Sequence, residues 1–299
     1  MGDAHPLFPG FRRERIAVNG VEIHAVVGPR RGAPPLLLLH GYPQTLAIWH
    51  RVAPRLATRF DLVAADLRGY GDSAKPPGGA GHAAYSKREM ARDQVGLMRA
   101  LGHGRFLLAG HDRGGRVAHR LAADHPEAVA KLAVLDIAPT LAMYEQTDMD
   151  FARAYWHWFF LIQSAPIPET LIGADPRFYL RHKMGDGAAG MKPFAPAAWA
   201  EYERCFTKEA IAASCEDYRA AATIDLEHDR ADRVAGRRLA VPLLALWGAH
   251  GVVERCFRPL EDWGRVAADV RGKALAAGHY LPEEVPDLVA AELESFFAD

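Results

Sequence analysis

Three cysteines in 299 residues, Cys205, Cys215 and Cys256, are too few for a disulfide framework, and none forms a CxxC pair. A reduced, cytoplasmic setting is the expectation. Long apolar runs are missing too. None approaches the ~20 residues that span a bilayer, and the first residues lack the apolar core of a signal peptide. No charge of one sign dominates: 36 basic residues stand against 37 acidic ones, a net charge of −1. That balance offers no broad pull on nucleic acid or on an anionic membrane. An anionic small molecule would have to be held by locally placed arginines. Internal repeats are absent, and the only low-complexity stretch is the short glycine-rich segment 78–81.

What the chain does contain is a rhythm. Residues 15–27 alternate apolar and polar around Asn19-Gly20, which reads as a β-hairpin with a tight turn. Continuous apolar runs follow at 35–39, 62–65, 106–109, 132–135, 241–247 and 273–276, as expected for strands covered on both faces. Helical stretches lie between them. One opens with the capping-box pattern Ser86-Lys87-Arg88-Glu89 and closes at Gly102; others are expected over 115–124, 257–268 and 286–297. Strands alternating with helices imply an α/β fold with a largely parallel sheet.

Between about Leu141 and Arg233 the strand signature vanishes, and aromatics such as Tyr155, Trp156, Trp158, Trp199, Tyr202 and Tyr218 accumulate. The expected organisation is a core over 1–140, a helical cap over 141–233 and a second part of the core over 234–299. A cap belongs over the carboxyl ends of the strands, where open α/β sheets bind ligands.

The chemistry concentrates in Gly110-His111-Asp112-Arg113-Gly114-Gly115, where a buried strand meets a glycine-flanked turn and a helix. This is the layout of a nucleophile elbow, with Asp112 in the place of serine. A carboxylate with an ordinary pKa of ~3.9 is already ionised at neutral pH. Asp112 can therefore attack a saturated carbon, expel a leaving group and form a covalent ester. Cleaving that ester takes a histidine base and donors that polarise its carbonyl. His279, at the end of the last strand, suits the first role; the backbone N–H groups of Tyr42 and Arg113 suit the second. For the acid that orients His279, the turn 247–251 offers no carboxylate, so Asp136 is assigned and Glu254 held in reserve. Helix N-capping is the plain alternative for Asp112. Arg116 lies one helical turn past Arg113, so both guanidinium groups can face one cavity and grip a substrate carboxylate bidentately.

These segments resemble the α/β-hydrolase superfamily over nearly the whole chain, and within it the fluoroacetate dehalogenase group. The resemblance rests on His40-Gly-Tyr-Pro-Gln-Thr45, Asp66-Leu-Arg-Gly-Tyr-Gly-Asp-Ser73, Gly110-His-Asp-Arg-Gly-Gly-Arg116, Leu135-Asp-Ile-Ala-Pro139 and Tyr218-Arg-Ala-Ala-Ala222. The first two occur across many esterases and epoxide hydrolases; the Asp-Arg-Gly-Gly-Arg run is more discriminating. The resemblance implies an α/β-hydrolase fold with an inserted cap, no metal or organic cofactor, a small anionic substrate and a homodimer. It also implies a halide cradle formed by His157, Trp158 and Tyr218, with Tyr202 or Tyr144 as alternatives to the last. Two rivals stand beside it: an epoxide hydrolase sharing Asp112 and His279 and using cap tyrosines as acids, and a ligand receptor without catalysis.

Overall fold

The computed structural model describes residues 5–29, 32–187 and 189–298. Its eight strands form one sheet in the order β1-β2-β4-β3-β5-β6-β7-β8. Strands β1 (Arg12–Val18) and β2 (Val21–Val27) make the antiparallel hairpin, with Asn19 and Gly20 both at positive φ. Strand β2 pairs antiparallel with β4 (Asp61–Ala65). Beyond it β3 (Pro35–Leu39), β5 (Phe106–His111), β6 (Val129–Leu135), β7 (Leu243–Gly248) and β8 (Val270–Leu275) run parallel.

Side chains alternate across a strand. Leu37, Leu39, Val63 and Ala65 accordingly enter one core layer, and Leu36, Leu38, Leu62 and Ala64 the other. A strand covered on both sides must be apolar at every position, which is why these segments show no polar alternation.

The helices are α1 (Ala53–Leu56), α2 (Lys87–Ala100) and α3 (Arg113–Asp124); then, between β6 and β7, α4 (Thr140–Glu145), α5 (Met149–Ala154), α6 (Trp156–Leu161), α7 (Ile167–Ala174), α8 (Pro176–Gly185), α9 (Pro196–Cys205), α10 (Lys208–Ala222) and α11 (Ile224–Val234); and finally α12 (Val252–Cys256), α13 (Pro259–Val266), α14 (Leu281–Glu284) and α15 (Pro286–Ala298). Ser86 caps α2 by accepting the Glu89 N–H. Among the described residues no strand interrupts α4 to α11. No helix among the described residues is long and apolar enough to cross a membrane.

Helix α3 covers one face of the sheet through Val117, Ala118, Leu121 and Ala122, and α15 the other through Val289, Leu293 and Phe296. Phe151, Trp158, Tyr202 and Tyr218 of the inserted helices share the core layer of α3. Burying each such side chain stabilises by roughly 1.5–3 kcal/mol, so the insertion is seated on the sheet by apolar contact. Ion pairs fix its position: Arg120 of α3 donates to Asp229 and Asp232 of α11, each at 2.6 Å.

Candidate active site

Strand ends assemble the site. Asp112 follows β5, Asp136 follows β6, Tyr42 lies just past β3 and His279 just past β8. His111 pairs with Leu135 in the parallel ladder, so Asp112 and Asp136 occupy matching positions on adjacent strands.

Asp112 adopts φ 47° and ψ −116°, a conformation that costs a non-glycine residue on the order of 1–3 kcal/mol. The crowding that enforces it is visible at Gly114, where an added Cβ would collide with the His40 carbonyl. The Asp112 side chain makes no capping bond to α3, so it is not a helix cap. Its Oδ1 instead accepts the Tyr42 N–H at 2.9 Å. Gly41 allows that approach, because a Cβ there would overlap Asp112. The Arg113 amide opens α3, where no intrahelical acceptor exists. Burial works against the charge on Asp112, but His279, His111 and the two nearby arginines outweigh it and hold the carboxyl below its usual range.

His279 Nδ1 lies 2.6 Å from Asp136 Oδ2. A carboxylate accepts, so Nδ1 is the donor, and Nε2 faces Asp112 Oδ2 at 4.0 Å. Asp136 is fully buried and its other oxygen accepts the Gly248 N–H at 2.9 Å. Glu254, held in reserve from the sequence, bonds Trp247 Nε1 instead. His111 Nε2 donates to the His279 carbonyl at 2.8 Å, and burial pushes its pKa down to about 3, so a neutral ring braces the His279 backbone.

Both arginines are already partly engaged by protein groups. Arg113 gives Nε and Nη2 to Asp217 of α10, and only Nη1 is buried without a partner among the described residues. Arg116 gives Nη1 to Ala138 O at 3.2 Å and Thr140 Oγ1 at 3.0 Å, and Nη2 to Met143 Sδ at 3.1 Å; its Nε is the unpaired atom. By N–H count, Arg113 keeps the two on Nη1, and Arg116 keeps the one on Nε and one of the two on Nη2.

Arg113 Cζ sits 4.2 Å from the Tyr218 ring centre and Arg116 Cζ 4.6 Å from that of Trp158. The His157 and Tyr218 rings stand 5.9 Å apart at 72°. His157 Nδ1, Trp158 Nε1 and Tyr218 Oη are all buried without a hydrogen-bond partner among the described residues. Unmet donors in a buried site carry a desolvation cost, which a small anion would relieve. Burial, helped by the positive charge of Lys183, drives the His157 pKa far down, so the ring is neutral and donates from one nitrogen. Tyr202 bonds Glu283 and is thereby committed elsewhere, while Tyr144 packs against Trp158 at 5.1 Å.

Two residues near the site escaped the sequence reading. Asp217 is fully buried against Arg113, and no spacing rule links positions 104 apart. Lys183 lies one turn after Tyr179, whose hydroxyl meets that of Tyr42 at 2.9 Å; its charge acts on both Asp112 and His157. A groove of about 520 Å³, lined by His119, Pro139, Arg233 and Arg265, lies apart from these groups. Among the described residues no three His, Cys, Asp or Glu side chains are grouped to hold a metal.

The sequence profile of the alpha/beta hydrolase fold matches residues 34–251. A fluoroacetate dehalogenase from Burkholderia sp is 48% identical over 98% of this chain and 96% of its own length. A soluble epoxide hydrolase from Corynebacterium sp. (strain C12) is 34% identical, covering 94% of this chain and 95% of the relative. A solved structure from Nostoc sp PCC 7120, described as an alpha/beta hydrolase, superposes with a TM-score of 0.93 at 51% identity, covering 96% of this chain and 98% of that one. With Asp112 at its strand–helix turn, His279 at a strand end and a helical insertion in this arrangement, the chain belongs to the α/β-hydrolase family and, within it, to the fluoroacetate dehalogenase group.

Proposed function

We propose that the protein hydrolyses the carbon–halogen bond of small 2-haloacids through a covalent ester on Asp112. The observation that carries this reading is the pair of cations beside the nucleophile, Arg113 Nη1 and Arg116 Nε, each buried with donor capacity to spare. The kinship to a fluoroacetate dehalogenase supports the same substrate class.

In the first step an Asp112 oxygen attacks the carbon bearing the halogen. The carbon–halogen bond breaks, and the halide leaves with its electron pair toward His157, Trp158 and Tyr218. The arginines hold the substrate carboxylate so that this carbon lies in line with the attacking oxygen. In the second step His279 Nε2 takes a proton from water, and the resulting hydroxide adds to the ester carbonyl of Asp112. The Tyr42 and Arg113 N–H groups receive the developing oxyanion. Collapse of the adduct returns the proton from His279 to the departing 2-hydroxyacid, while Asp136 stabilises the transient imidazolium. The sum is haloacid plus water giving hydroxyacid, halide and a proton.

Water thus enters the enzyme before it leaves in product. A single turnover in oxygen-18 water should place label in the Asp112 carboxylate, read by peptide mass spectrometry. Unlabelled Asp112 after product release would refute the ester route. Tyr155 and Tyr218 both lie close enough to Asp112 for its charge to act on their hydroxyls, which keeps epoxide opening as a second reading. Halide release from chloroacetate, set against diol formation from a small epoxide, separates the two.

A further inference from the structure

We infer that Asp217 is a positioning residue that binds two nitrogens of Arg113 and leaves Nη1 alone to meet the substrate carboxylate. The inference rests on the haloacid reading and adds the group that sets one end of the substrate.

The donor count closes. A guanidinium has five N–H bonds. Arg113 Nε donates to Asp217 Oδ2 at 2.9 Å; Nη2 donates to Oδ1 at 2.7 Å and to the Asp217 main-chain oxygen at 2.8 Å. The two remaining N–H bonds are both on Nη1, which is buried and unpartnered among the described residues. The Tyr218 ring covers one face of the guanidinium, with Cζ 4.2 Å from the ring centre.

Asp217 also keeps Arg113 away from the nucleophile. The two lie close enough for the arginine's charge to act on Asp112. A guanidinium released from its partner would be free to turn to Asp112 and occupy the attacking oxygen. Asp217 outcompetes it because it holds the guanidinium at three points, two through its carboxylate and one through its main-chain oxygen. The Tyr70 hydroxyl and Lys87 of α2 bond the same carboxylate. Asp217 belongs to the helical insertion and Arg113 to the sheet layer, so the substrate grip is complete only with the insertion seated.

The test compares wild type with Asp217→Asn, Lys87→Met and the double variant, measuring affinity for acetate, a carboxylate without a leaving group, and for chloride. Asparagine keeps the shape of aspartate but not its two-oxygen fork. Acetate affinity should then fall about tenfold or more, the scale of one hydrogen bond between charged groups. Chloride affinity should change by less than about threefold, since the halide donors remain. Lys87→Met keeps the Arg113–Asp217 pair and should hold acetate within about threefold of wild type. Should Asp217→Asn alone leave too much unpaired charge to fold, the double variant removes one stranded cation and supplies the measurement.

Unchanged acetate affinity in the Asp217 variants would overturn the inference, as would equal losses for acetate and chloride or an equal loss in Lys87→Met. Acetate binding needs no turnover. A wild-type protein that released no halide, yet lost acetate on Asp217→Asn, would remove the reaction and keep the anchor.

Discussion

Asp136 Oδ2 and His279 Nδ1 meet at 2.6 Å across 143 residues of chain, and that contact fixes which imidazole nitrogen faces Asp112. Asp136→Asn removes the anion that selects this tautomer. Turnover should fall by roughly 10²-fold or more, because general-base catalysis contributes 10²–10⁴-fold. His279→Gln should go further and stop the cycle after the first step. Incubation with chloroacetate is expected to release one equivalent of chloride and leave Asp112 heavier by the ester, visible by intact-mass measurement. Continued turnover by this variant would place the base elsewhere.

Gly41 tests the approach of the Tyr42 segment to Asp112. A methyl group there overlaps the Asp112 side chain, so Gly41→Ala must push the Tyr42 N–H away from Oδ1. The strain should destabilise the fold by about 1–3 kcal/mol and lower kcat more than it raises KM. A thermal melt and steady-state kinetics read the two effects separately; wild-type kinetics would show that the loop is looser than its contacts imply.

Trp158→Phe keeps the ring under Arg116 and deletes one N–H. The worse the leaving group, the more its departure depends on that donor. The loss in kcat should therefore grow from bromoacetate to chloroacetate to fluoroacetate, reaching about tenfold or more for the last. A halide electrode gives all three rates, and an equal loss across the series would confine Trp158 to packing.

The sequence exposed those parts of the molecule that follow local rules. Residues 35–39 are read as a buried strand because a strand covered on both faces must be apolar throughout, and β3 occupies those positions. Gly110 to Gly115 announces the elbow because a tight turn between strand and helix needs small neighbours. The expected helix over 257–268 begins instead at Pro259, since proline suits the first turn of a helix and cannot continue one, and a separate α12 precedes it. The partners of Arg113 were hidden for another reason. A buried ion pair between residues 113 and 217 depends on how two layers pack, and neither spacing nor composition encodes it. The same holds for the pairing of Tyr202 with Glu283, which withdrew one candidate tyrosine from the site.

Glu283 itself gives a pH prediction. Burial pushes its pKa from 4.5 up to about 8, so the folded chain holds a proton there that the unfolded chain releases. The folded pKa is raised; the stabilisation is complete below pH 4.5 and is lost as pH rises through 8. Glu283→Gln mimics the protonated acid and keeps an oxygen for the Tyr202 hydroxyl. Thermal melts should show wild-type stability declining across this range by on the order of a few kcal/mol, with a flatter curve for the variant. Parallel curves would mean that Glu283 is not the group that titrates.

One rod of the structure serves two masters. The first turns of α3 carry the amide and guanidinium groups around Asp112, and two turns along the same rod Arg120 is riveted to Asp229 and Asp232 of α11. Lifting the roof at that edge would tug on Arg120 and tilt the beam that aims the attacking oxygen. On the proposed reading, a mutation at the rivet, far from the reacting carbon, is expected to register first as poor aim.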